Sequence, residues 1–318
     1  MSAGPPSPSE TPPRVLGQYD SGEPGPLLIV TAAIHGNEPA GIHALSRVFN
    51  ALAEREPRLR GRLVGLLGNR GALARNQRYV AADLNRVWSA RHLAELAAAD
   101  PAADRDERME QRELLTCLEA ELARPHERVV HLDLHSTSAE SPPFTVLGQD
   151  VESRRLAAAI GVPAIFGILK DVEGSVLDFA ASRGIACVVL EGGQHQAETT
   201  VEHHESGVWI ALEATGMLAR DSVPELARHK ARIERSVVNV PDAVEVCFRY
   251  AIDPDEKFVM LPGFRSFQRV YPGQLLALGG RNGRQEIRCP VGAILLMPRY
   301  QGQGGDGFYL ARAIDRVA

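Results

Sequence analysis

Residues 26–39 read Pro26-Leu27-Leu28-Ile29-Val30-Thr31-Ala32-Ala33-Ile34-His35-Gly36-Asn37-Glu38-Pro39. An almost unbroken apolar run, stopped by histidine, glycine and carboxylate, is the pattern of a buried strand that ends in a polar corner. Apolar residues then recur at Ile42, Leu45, Val48, Phe49 and Leu52, which is helical spacing. Pro39 suits the first turn of that helix, where its missing N–H costs nothing. The segment therefore predicts a strand running directly into a helix.

The same alternation continues outward. Residues 63–67 read as a second strand, followed by a polar stretch from Gly68 to about Ala99 that is too irregular for one element. Leu114, Leu115, Leu118 and Leu122 mark a helix, and 129–134, 144–147, 164–169 and 185–190 read as further strands. Short helical stretches surround Leu156 and Leu177, and Val201, Val208, Trp209, Leu212 and Leu218 suggest a long closing helix. Strands alternating with helices predict an α/β domain with a largely parallel sheet. Near residue 235 the character changes to short apolar runs separated by Pro-Gly and Gly-rich turns, such as Tyr271-Pro272-Gly273 and Arg281-Asn282-Gly283. That pattern predicts a small all-β module. The expected division is a disordered tail at 1–13, a catalytic α/β domain at 14–234 and a C-terminal β domain at 235–318.

Composition bounds the function. A chain of 318 residues suits one large domain and a smaller one. Its formal charge of −5 argues against a nucleic-acid footprint, which needs a basic excess. Cys117, Cys187, Cys247 and Cys289 lie far apart, the usage expected of reduced thiols in a cytoplasmic protein. The Ser-, Pro- and Gly-rich first residues lack the apolar core of a signal peptide. No apolar run approaches a membrane span. The expectation is a soluble cytoplasmic protein without membrane or nucleic-acid partners; a homo-oligomer is compatible with it.

Three polar clusters fall where strands are predicted to end, the place where ligands collect in α/β sheets: His35/Glu38, Asp133/His135 and Glu191. Catalytic zinc usually takes three protein ligands from His and carboxylate and leaves a position for water. His35-x-x-Glu38 with the distant His135 supplies such a set. Asp133, two residues before His135 and on the same strand face, can order that histidine. His-x-x-Glu alone recurs by chance in many chains, and most of the ten histidines must be ordinary: His43, His92, His126, His203, His204 and His229 read as surface or packing residues. His131 reads as structural, and His195 is a reserve metal or pocket candidate. Glu191, following the apolar run 185–190 and preceding Gly192-Gly193, reads either as a general base or as an exposed strand terminus. Within Arg78-Tyr79-Val80-Ala81-Ala82-Asp83-Leu84-Asn85-Arg86, Asn85 and Arg86 suit a grip on a substrate carboxylate and Arg78 the polarisation of a carbonyl. The alternative there is a solvated loop.

Together these pieces resemble the succinylglutamate desuccinylase/aspartoacylase family, relatives of the zinc carboxypeptidases. The matching stretches, in family order, are His35-Gly36-Asn37-Glu38, Arg78-Tyr79, Asp83-Leu84-Asn85-Arg86, Asp133-Leu134-His135-Ser136-Thr137 and Glu191-Gly192-Gly193. The resemblance covers roughly residues 27–220, and the Gly-rich C-terminal part is similar to that family's second domain. It implies a zinc carboxypeptidase-like mixed sheet flanked by helices, one zinc per chain on His35, Glu38 and His135, and a catalytic Glu191. It also implies carbonyl polarisation by Arg78, substrate contacts from Asn85 and Arg86, and a C-terminal tyrosine over the cleft, for which Tyr309 is the nearest match. The aspartoacylase branch carries an arginine and a tyrosine upstream of the catalytic glutamate; here Ala181 and Leu177 stand at the comparable distance, with Arg183 two residues out of register. Neither aspartoacylase nor succinylglutamate specificity is therefore assigned.

The resulting expectation is a zinc-dependent deacylase that hydrolyses the amide of a small N-acylated, carboxylate-bearing molecule by metal-activated water. A zinc carboxypeptidase acting on peptides and a non-catalytic zinc- or ligand-binding module are the alternatives.

Overall fold

The computed structural model describes residues 12–168, 173–219 and 223–315. The expected tail at 1–13 lies outside them except for its last two residues, and so does Leu169 at the end of one expected strand. The first strands are Val15–Asp20 (β1), Glu23–Ala32 (β2) and Arg60–Leu67 (β3), with helix Ala40–Arg55 (α1) between β2 and β3. The polar stretch after β3 holds two helices, Arg70–Leu73 (α2) and Ala90–Ala98 (α3), and a 3-10 turn at Leu84–Arg86. Helix Asp106–Leu122 (α4) leads to Val129–Thr137 (β4), followed by Phe144–Leu147 (β5), Val151–Ile160 (α5), Ala164–Phe166 (β6) and Val176–Ser182 (α6). Then come Ala186–Gln194 (β7), Glu198–Ala214 (α7) and Leu226–Ser236 (α8). The rest is β: Ala243–Ala251 (β8), Val259–Met260 (β9), Gln268–Val270 (β10), Leu275–Gly279 (β11), Gln285–Arg288 (β12), Ala293–Leu296 (β13) and Asp306–Ala313 (β14).

Eleven strands form one mixed sheet in the order β1-β3-β2-β4-β7-β5-β6-β8-β14-β13-β10. The central run β3-β2-β4-β7 is parallel; β5 runs antiparallel to β7, and β8, β14, β13 and β10 extend the sheet from its β6 edge. The C-terminal region is β-rich, as expected. Most of it continues the main sheet, and only β9, β11 and β12 form a separate three-stranded one.

Alternation along the central strands feeds two cores. Leu28, Val30, Leu132, Leu134, Val188 and Leu190 point to a cluster shared with Val48, Val208 and Leu212 of α1 and α7. Leu27 and Ile29 point the other way, toward Trp88, Leu114 and Phe179. Side chains of a strand alternate between faces, so Asp133, His135, Val189 and Glu191 all belong to the face away from α7. That alternation decides where chemistry collects.

The structure departs from the sequence reading in several places. β1 is an additional strand, whose few apolar residues lie on a sheet edge paired with β3 and give no clear pattern. β2 begins at Glu23 rather than at 26. α8 is an additional helix: its sequence is strongly charged, and only Leu226, His229 and Ile233 are buried. Glu191 lies inside β7 rather than at its end, since pairing continues to Gln194 opposite Thr137.

Candidate active site and metal centre

The first two candidate ligands are set by how the chain leaves β2. Ala33 adopts a left-handed backbone (φ 53°), held by Gly68 N donating to Ala32 O and Asn69 N donating to Ala33 O. At Gly36 a Cβ would lie 2.2 Å from the Ala72 carbonyl carbon, so only glycine lets the chain pass α2. Gly36 N also donates to Arg78 O. This corner points His35 and Glu38 at β4, where His135 faces them.

His35 Nδ1 lies 2.9 Å from Glu38 Oε1, and His135 Nδ1 lies 3.2 Å from Glu38 Oε2. All three residues are buried, and each offers one ligand atom within 4.8 Å of the others. The outer nitrogens are engaged as well: His35 Nε2 donates to Asp83 Oδ1 at 3.1 Å and His135 Nε2 to Asp133 Oδ2 at 2.9 Å. Asp133 also accepts from the Thr31 hydroxyl, and Ser136 N donates to Glu38 Oε2. Each imidazole thus gives its Nε2–H to an aspartate and turns Nδ1 toward the shared carboxylate, the arrangement by which proteins orient metal-ligating histidines. Two nitrogens and a carboxylate oxygen also match the donor set of catalytic zinc. The residues present fit a divalent metal of that class.

Electrostatics agree with a cation-seeking centre. Burial alone would raise the Glu38 carboxyl, yet the two imidazoles hold it well below the usual carboxylate range. Burial likewise opposes charge on His135, but Asp133 and Glu38 raise its pKa well above the ordinary value.

Glu191 stands in register between His135 on β4 and Phe144 on β5. Its Oε2 is buried without a hydrogen-bond partner. Burial pushes its carboxyl up to about 8; Glu38 and Asp133 add to this while His135 and Arg78 oppose it. Arg78 donates to Asp83 Oδ2 at 3.0 Å and lies 3.8 Å from Glu38. Asn85 Oδ1 accepts from Val176 N, which ties the 3-10 turn to α6, and Arg86 lies 3.9 Å from Asp306. Tyr309 is buried on β14, bonded to Asp306, and its phenol is pushed above its ordinary range first by burial.

One cavity of about 330 Å³ is lined by all nine residues singled out from the sequence: His35, Glu38, Arg78, Asn85, Arg86, Asp133, His135, Glu191 and Tyr309. His195 does not join the ligand trio; its ring bonds Ser136 Oγ and Gln301 nearby. His131 is buried against Thr31. Sequence reasoning assigns no role to Asp83, which orients both His35 and Arg78; its place three residues before Arg86 is the available signal. Arg249 of β8, Asp306 of β14 and Arg299 of the connection between β13 and β14 also line the cavity, and no local pattern announces their approach. His204, which reads as an ordinary histidine in the sequence, donates from Nε2 to the backbone carbonyl of His135 at 2.8 Å.

Residues 24–206 match the family model described as the succinylglutamate desuccinylase/aspartoacylase catalytic domain. The chain belongs to the succinylglutamate desuccinylase/aspartoacylase family. Among curated members of that family, it is similar to the succinylglutamate desuccinylase of Pseudomonas fluorescens strain SBW25, 33% identical over 112 residues. That match covers 35% of this chain and 31% of the relative. The Erwinia tasmaniensis enzyme of the same name is 42% identical over 64 residues, 20% of each chain. The matched stretch thus spans about a third or less of these relatives. Solved structures share the fold over far more of the length. The succinylglutamate desuccinylase/aspartoacylase of Rhodobacter sphaeroides has a TM-score of 0.67 at 17% identity, covering 93% of this chain and 87% of that one. The product-bound ectoine utilization protein of Ruegeria pomeroyi has a TM-score of 0.63 at 17% identity, covering 92% and 85%. Among the described residues of this family member, no helix is long and apolar enough to cross a membrane.

Proposed function

We propose that this chain is a zinc-dependent hydrolase that cleaves the amide bond of a small N-acyl amino acid or related carboxylate-bearing molecule. The observation that carries the reading is the half-buried Glu191, whose Oε2 is buried without a partner, beside the convergent His35, Glu38 and His135 in one cavity. A binding module has no need to keep a carboxylate desolvated next to a metal centre, whereas a general base does. Family membership and the curated desuccinylase relatives support the same reaction class.

His35, Glu38 and His135 would hold one zinc ion per chain, which when bound supplies Lewis acidity that makes water a nucleophile at neutral pH. Asp83 and Asp133 keep the two imidazoles oriented and their Nε2 atoms protonated. Glu191 takes the proton from the attacking water and delivers it to the departing nitrogen. Arg78, braced by Asp83, donates to the carbonyl oxygen as negative charge develops there. Arg86 and the amide of Asn85 hold the substrate carboxylate, and Tyr309 closes the cavity from β14. This machinery belongs to a catalytic region at 14–234, with the β-rich region from 235 contributing the far wall.

The test is metal content with turnover. Wild type should purify with about one zinc per chain and hydrolyse members of an N-acyl amino acid panel, while His135→Ala should lose both. A wild-type protein that takes up no metal when zinc is supplied would sink the reading. Faster cleavage of dipeptides than of N-acyl amino acids would favour a carboxypeptidase instead.

A further inference from the structure

Resting on that reading, the walls of the cavity carry information about the substrate itself. Across the sheet, His135, Glu191 and Phe144 lie in one row, and the next row down is Asp133, Val189 and Val146. The polar character stops there. Val189 and Val146 face the same side as Glu191, and Leu177 of α6, Ile168 and Met297 join them in one apolar cluster that also lines the cavity. Val146, Ile168 and Leu177 are nearly inaccessible, while Val189 and Met297 are half-buried. The polar side chain at the head of α6, Ser175, has its hydroxyl occupied as acceptor from Asp178 N.

Each guanidinium group lining the cavity has a hydrogen-bond partner outside this apolar wall. Arg78 is bonded to Asp83, Arg86 donates to Asn85 O, and Arg249 bonds Asp306 at 2.6 Å. Arg299 donates to Gly304 O and lies over the Phe258 ring. Gln303 joins the two segments that carry them, accepting from Arg78 N and donating to Tyr79 O. The cations are thus anchored in residues 78–86 and in the segment 299–306 with its partner Arg249. A second carboxylate placed against Val146, Leu177 and Val189 would lose its hydration with no cation in that wall among the described residues, which is strongly unfavourable. An alkyl or aryl group placed there would instead gain several-fold in affinity for each methylene buried.

We propose that this wall is a subsite for an uncharged apolar substituent, so that the substrate is an N-acylated monocarboxylate bearing an alkyl or aryl group rather than a dicarboxylic amide. The substituent comes either from the acyl half or from the amino-acid side chain, and both put the same chemistry against the wall.

The experiment compares zinc-loaded protein on N-hexanoylglycine, apolar on the acyl half, and N-acetyl-L-leucine, apolar on the amine half, with N-succinyl-L-glutamate and N-acetyl-L-aspartate. Binding of the same four compounds to Glu191→Gln is followed by calorimetry. At least one apolar compound should exceed both acidic ones in kcat/KM by about tenfold or more. Met297→Lys should shrink or reverse that ratio, and the near-isosteric Val189→Thr should lower it several-fold. Preference for the acidic compounds overturns the subsite but leaves the hydrolase standing, as does a ratio unmoved in both variants. Tighter binding of apolar compounds without any turnover upholds the subsite and removes the hydrolase. If no compound is turned over and none of the apolar ones binds more tightly, both fall.

Discussion

Asp133 and His135 sit two residues apart on one strand, and His135 Nε2 donates to Asp133 Oδ2 at 2.9 Å while Asp133 accepts a second bond from the Thr31 hydroxyl. The aspartate is therefore fixed before it fixes the histidine. Removing its charge while keeping its shape should loosen the metal without unfolding the sheet. Asp133→Asn is expected to weaken zinc binding by about 10- to 100-fold, read by titration against a competing chelator. An unchanged affinity would show that Asp133 plays no part in ordering the site.

Glu191→Gln should retain zinc yet lose at least about a hundredfold in kcat, the lower range for a general acid–base group. The wild-type pH profile carries a second check. A base must be deprotonated to act, so activity should rise with pH through the Glu191 pKa. Burial pushes that carboxyl up to about 8, and a divalent cation bound beside it would pull it back toward the ordinary range. The acidic limb of kcat/KM should consequently fall between about 4.5 and 8. Near-normal turnover by Glu191→Gln would falsify the assignment of the base.

Arg78→Ala should cost about 10²- to 10³-fold in kcat, the usual loss for one oxyanion donor. It should spare zinc content, because Arg78 approaches Glu38 only at 3.8 Å. A rise in KM alone, with kcat preserved, would move Arg78 from carbonyl polarisation to substrate binding.

Gly192 offers a test of the support behind the site. A Cβ there would lie 2.6 Å from the His204 ring, whose Nε2 holds the His135 carbonyl. Gly192→Ala should destabilise the fold by about 1–3 kcal/mol, the range for overpacking, measured by denaturant unfolding. Adding His204→Ala should recover part of that loss, because the clash goes with the ring. Strictly additive losses would show that the two positions do not meet.

Acid should weaken the fold through His229. Burial first, then Arg232 and Arg228, lower its pKa from 6.5 to about 4. Between those values the unfolded chain binds the proton and the folded one does not, so stability must rise with pH across the window and fall as pH drops from 6.5 toward 4. The ring bonds Ser206 and stacks on Trp209 in its neutral form. His229→Asn should flatten the stability profile over that interval, and an unaltered slope would assign the acid sensitivity elsewhere.

Much of the fold and the site is legible in the chain itself. The apolar runs announce the central strands, and period-two alternation by itself places Asp133 with His135 on one strand face. The residue types at 35, 38, 135 and 191 point to the chemistry proposed for them. Less legible are α8 and β1, whose charged or edge-strand residues carry a weak periodic signal, and Asp83, whose role depends on a ring 48 positions away.

What the sequence by itself determined is therefore local: which segments are buried, which side chains share a face of one strand, and which donors the protein owns. Tertiary structure alone decided that His135 and Glu191 stand opposite each other, that the left-handed turn at Ala33 and the packing of Gly36 on α2 swing His35 toward β4, and that residues 299–309 complete the cavity. The physical reason is that alternation and helical spacing are set by each segment's own backbone geometry. Register between distant strands is set instead by how their side chains pack and pair across the fold.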